Sequence, residues 1–159
     1  MKTAISLLAA LLAAMGPAQA AEQVEKSVMI LAGANAGFQE ARYGDDGKLA
    51  VHFEFNDRGR GPKLDATYTL DANGLPTATE LKGVDYLKAP ITETYSRNGD
   101  AVAWKNGAED EKRTVAGPAF FLGLNQVPED AMLLVRALLK APHNKLELIP
   151  SGEASIRKL

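Results

Sequence analysis

The sequence predicts a mainly β domain of the α+β kind: a curved antiparallel sheet, as a half-barrel or a sandwich, with one main helix near the C-terminal third. Three observations predict it. Two eight-residue runs alternate apolar and polar side chains without a break. Turn signals recur between such runs. A single segment, beginning at Pro128, carries apolar residues at helical spacing instead.

The first run is Lys48–Phe55, KLAVHFEF. Leu49, Val51, Phe53 and Phe55 share one face; Lys48, Ala50, His52 and Glu54 share the other. A period of two is the pattern of a half-buried strand with one wet face. Lys63–Leu70, KLDATYTL, repeats it, with Leu64, Ala66, Tyr68 and Leu70 inward. Further strands are predicted near Val24–Ala32, Phe38–Tyr43, Thr77–Lys82, Ile91–Arg97, Ala101–Lys105 and Lys112–Val115. Asp45-Asp46-Gly47, Asp71-Ala72-Asn73-Gly74 and Asn98-Gly99-Asp100 separate them. Asn-Gly and Asp-Gly favour positive φ and tight reversals, so the strands read as an antiparallel meander.

The helix opens at Pro128-Glu129-Asp130. Proline suits the first helical turn, and two acids there favour the positive end of the helix dipole. Ala131, Leu134, Val135, Leu138 and Leu139 follow at helical spacing, and Pro142 ends the segment. Met132 and Leu133 widen the apolar surface, so the helix is expected to pack on a sheet face or close its mouth. Trp104 reads as core. Phe120-Phe121-Leu122 reads as core or as an interface for another domain. Two extended pieces, Lys145–Ile149 and Ala154–Leu159, close the sequence. The last reads as a strand begun and not finished, so the chain is expected to be the front part of a longer protein.

The first 20 residues are read separately. Lys2 precedes an apolar run of 11 residues, Ile5–Met15, and Ala18-Gln19-Ala20 is a small-x-small cleavage site. Eleven helical residues span about 16 Å at ~1.5 Å each, roughly half a bilayer core, so a signal peptide fits and a membrane anchor does not. Cleavage between Ala20 and Ala21 leaves a single β-rich domain of 139 residues, exported to the periplasm or the medium. No membrane span is expected after cleavage. The mature part carries 17 basic and 20 acidic side chains. With no basic stripe, nucleic acid is excluded as an expected partner.

Chemistry-bearing motifs are scarce. The two histidines, His52 and His143, are far apart, with no His-x-His pair, so no metal site is expected in this chain. There is no cysteine, and no serine sits in Gly-x-Ser-x-Gly. The most distinctive segment is Asn56-Asp57-Arg58-Gly59-Arg60-Gly61-Pro62. Asp57, Arg58 and Arg60 are its candidate ligand-binding residues, because forked guanidiniums between glycines can hold a carboxylate or phosphate. The competing reading is a hairpin loop in which Asp57 pairs locally with an arginine. Asp85-Tyr86-Leu87-Lys88-Ala89-Pro90 is a second such segment, with Tyr86 and Lys88 able to reach a ligand. Asp57, Arg58 and Tyr86 could form an acid–base site, although nothing in their spacing favours one.

The run His52–Lys63, HFEFNDRGRGPK, resembles the N-terminal region of secreted proteobacterial amidohydrolase family proteins. Tyr86-Leu87-Lys88-Ala89-Pro90, Arg136–Pro142 and Pro150-Ser151-Gly152-Glu153-Ala154 fit the same pattern. In that family such a stretch precedes a (β/α)₈ hydrolase domain that cleaves C–N bonds with divalent metals. The resemblance therefore implies a non-catalytic accessory domain whose partner is an intramolecular catalytic barrel. The divalent metal is expected only in that barrel, and no catalytic residue carries over. The alternative is a stand-alone periplasmic binding protein for a lipid or other hydrophobic ligand.

Overall fold

The computed structural model describes residues 23–157. The leader Met1–Ala20, its cleavage site and the last two residues lie outside them. Eight strands form one open antiparallel meander: β1 (Gln23–Leu31), β2 (Ala34–Tyr43), β3 (Lys48–Phe55), β4 (Lys63–Leu70), β5 (Pro76–Val84), β6 (Pro90–Asn98), β7 (Ala101–Lys105) and β8 (Asp110–Thr114). The sheet is not closed into a barrel, since β1 and β8 end it as separate edges. A second, three-stranded sheet orders β11 (Glu153–Ser155), β10 (Lys145–Ile149) and β9 (Ala119–Phe121). The helix α1 spans Pro128–Lys140. No helix among the described residues is long and apolar enough to cross a membrane.

The predicted alternation holds residue by residue. Leu49, Val51 and Phe53 on β3 and Leu64, Ala66 and Tyr68 on β4 are buried, and register pairs Leu49 with Tyr68 and Val51 with Ala66. The helix covers this inner face through Leu133, Ala137 and Leu138, which join one core with the β2–β5 side chains. A second core gathers Tyr95, Val102 and Trp104 with Phe121 and Ile149. Tyr95 stacks on Phe121 at 4.3 Å.

Three readings are sharpened by the structure. Of the two readings of Phe120 and Phe121 the core one holds: both are buried, on a strand that pairs in parallel with β10. The buried stripe of α1 runs through Asp130, Leu133, Ala137 and Leu138, whereas Ala131, Val135 and Leu139 face solvent. With apolar residues on most of its circumference, α1 is oriented by its polar first turn, as described below. Within the predicted last strand, Glu153–Ser155 is paired: β11 lies antiparallel to β10, with Ala154 opposite Leu146.

Candidate functional site

The segment Asn56–Pro62 is the reversal between β3 and β4. Asp57 and Arg60 exchange backbone hydrogen bonds at 2.7 and 3.0 Å across a two-residue turn. Arg58 and Gly59 occupy it with φ of +55° and +86°, the mirror-image geometry that suits strand twist. Gly61 has φ +119°, and a Cβ there would lie 2.2 Å from the Phe55 carbonyl oxygen, so the position admits no side chain.

This hairpin docks onto the β5–β6 turn, joining the two segments that the sequence singles out separately. The Tyr86 hydroxyl donates to Asp57 Oδ2 at 2.8 Å. The Gly61 amide donates to the Tyr86 carbonyl at 2.9 Å, and Lys88 Nζ donates to the Gly61 carbonyl at 2.6 Å. The Arg60 guanidinium lies 5.4 Å from the Tyr86 ring centroid. The hydrogen bond to Asp57 raises the Tyr86 pKa.

Asp57 is thus engaged within the loop, while Arg60 lies over the Tyr86 ring and Arg58 is largely free. Arg58 and Arg60 each approach Asp57 no closer than 4.0 Å, and the Arg58 side chain is 90% exposed. Asp57 and Tyr86 form a pair that Arg60 covers. Arg58 projects into solvent. The geometry is that of a locked hairpin with one cation, Arg58, open to solvent. Among the described residues, no three His, Cys, Asp or Glu side chains group so as to hold a metal ion.

A second polar constellation escapes the sequence reading. Glu129 and Asp130 do not merely decorate the helix start; both are buried beneath the sheet. Asp130 Oδ2 accepts from the Val127 amide at 2.8 Å and caps α1. Its Oδ1 accepts from the Tyr68 hydroxyl at 2.9 Å. Glu129 accepts from Gln39 Nε2 at 3.0 Å and from the Tyr43 hydroxyl, while its amide donates to Gln39 Oε1 at 2.9 Å. Arg136 donates to Tyr43 at 2.6 Å. Glu93, from β6, accepts from the Leu124 and Asn125 amides at 2.8 and 2.9 Å.

Three carboxylates therefore fasten the helix and its preceding loop to the sheet. Burial pushes the Asp130 carboxyl up to about 6, against the pull of its two donors. Burial likewise raises Tyr68, and it pushes Tyr43 up to about 12. One signal for this cluster was legible: Glu93 falls in phase with Ile91 and Tyr95 on the inward face of its strand.

His52 sits on the outer face between Asp65 and Glu54, at 2.7 and 3.0 Å. The hydrogen bond to Asp65 raises its pKa. No protein-family model, curated protein or solved structure matches this chain.

Proposed function

We propose that this domain is a non-catalytic accessory module of an exported, metal-dependent amidohydrolase, and that it packs against the hydrolase barrel. One observation supports the packing role above others. Met132, Val135 and Leu139 recur along the solvent side of α1, between 40% and 56% exposed. Contiguous apolar surface on a helix already fixed to its own core is the usual mark of a protein contact. The amidohydrolase context rests on the resemblance of the linked segments around Asn56–Pro62, Tyr86–Pro90 and Arg136–Pro142. The Met1–Ala20 leader supports export.

A carrier of lipid beneath the sheet would need space there. Leu49, Phe120 and Ile149 fill that region and are almost wholly inaccessible. The packing reading is therefore preferred.

The context is tested by reading the coding DNA onward from Leu159. A barrel with a His-x-His pair at its first strand is expected; a stop codon in that place would remove the context. The non-catalytic role is tested with the purified chain, an amide substrate panel and added Zn²⁺ or Mn²⁺. No turnover is expected, and metal-dependent turnover lost in Asp57→Asn would refute it.

A further inference from the structure

We infer that the cleft at the C-terminal end of α1 binds a small monocarboxylate carrying an apolar body. The cleft has a volume of about 670 Å³, within the range of ~300–1,000 Å³ usual for small-molecule sites. It opens between the β4–β5 turn, the end of β6, the segment before β9 and the last turn of α1. Leu75, Pro76, Ala137 and Leu146 contribute to its lining, and each belongs to the buried interior. Their lining faces offer apolar contact to a hydrocarbon.

Two cations stand over this floor. Arg97 is held from β6 by three neutral oxygens: Nε donates to the Gly99 carbonyl at 2.8 Å, and one Nη donates to those of Val115 and Gly117 at 3.1 and 2.7 Å. Its side chain is only 15% exposed, and its nearest carboxylate, Asp100, is 4.0 Å away. A largely buried guanidinium normally meets a carboxylate at hydrogen-bond distance; this one meets carbonyls. Tyr95, two residues earlier on the same face of β6, is packed in the second core and does not line the cleft. The cleft therefore holds a fixed positive charge with no carboxylate at hydrogen-bond distance.

The second cation is Lys140, the last residue of α1. It is exposed and forms no ion pair among the described residues. Its ammonium leans over the β4–β5 turn, 3.9 Å from where a Cβ on Gly74 would lie. One acid lines the cleft, Asp71, and its Oδ1 is occupied by the Asn73 and Leu75 amides. Of the charged side chains that line the cleft two are basic and one is acidic, a balance that suits one carboxylate better than a phosphate dianion. The occupant would set its carboxylate toward Arg97 and Lys140 and its hydrocarbon on the floor. This inference stands independently of the accessory-domain reading.

The test is titration of the purified, ¹⁵N-labelled chain with octanoate, octanol and inorganic phosphate, followed by NMR. Octanoate is expected to shift the Leu75, Gly99, Gly117 and Ala141 amides saturably, with octanol and phosphate at least tenfold weaker. Lys140→Glu, a surface change that leaves the spectrum folded, is expected to weaken octanoate binding tenfold or more. Absence of saturable shifts at those amides would overturn the inference. So would octanol binding as tightly as octanoate, or unchanged affinity in Lys140→Glu.

Discussion

Two aspartate–tyrosine hydrogen bonds of nearly equal length occur at opposite extremes of this molecule. Asp130 accepts from Tyr68 at 2.9 Å beneath the sheet, and Asp57 accepts from Tyr86 at 2.8 Å on a surface hairpin. Tyr68 is 3% exposed and Tyr86 is 39% exposed. The bond is the same, but water can replace only the second. Burial is the larger cause of the raised tyrosine pKa at the inner pair, whereas the hydrogen bond itself is the larger cause at the outer one. Distance alone does not rank two such contacts; the cost of leaving each partner unsatisfied does.

The sharpest way to separate the pairs is to delete each carboxylate. Asp130→Ala strands the Tyr68 hydroxyl and the Val127 amide in the interior, and it removes the helix cap. A loss of about 3–4 kcal/mol is expected. Asp57→Ala exposes its partner to water and is expected to cost less than about 1 kcal/mol. Urea denaturation of both variants at pH 5 measures the contrast, and equal losses would break it.

The next effect is in pH. The folded Asp130 carboxyl is raised from 3.8 to about 6, so the fold favours its protonated form. Its contribution is fully present below pH 4 and lost as pH rises through 6. The difference in stability between Asp130→Asn and the parent should therefore move by about 2 kcal/mol in favour of the variant from pH 4 to pH 7. No change across that window would show that Asp130 is not the group responsible.

Smaller still is the pair of hydroxyl deletions. Tyr68→Phe leaves a buried carboxylate one donor short and should cost about 1–2 kcal/mol; Tyr86→Phe should cost a few tenths. Thermal melts resolve the two. Arg58→Ala is expected to change stability by less than about 0.5 kcal/mol, because the side chain reaches only solvent and a 4.0 Å contact. A larger loss would mean that the hairpin depends on that arginine.

The strands were legible because their signal is local. Lys48–Phe55, Lys63–Leu70, Ala101–Lys105 and Lys145–Ile149 match their predicted bounds, since a period of two is written in each run. Turn chemistry was equally local, and it placed the reversal at Asn56–Pro62. β9 was not legible: three residues show no alternation, and its parallel partner lies almost thirty residues later. The candidate loops were visible and Asp57 could be grouped with Tyr86, but no local signal favoured that pairing, because the two meet across 29 residues.

The sequence by itself therefore determined which residues face inward along each strand, where the chain reverses, and that one helix follows Pro128. The tertiary structure alone decided which face of that helix is buried, because apolar residues on nearly every side left its rotation open. The choice was made by Glu129 and Asp130, whose donors Gln39, Tyr43 and Tyr68 come from distant strands. Periodicity orients a residue relative to its own element; only packing supplies the partner that makes a buried charge tolerable.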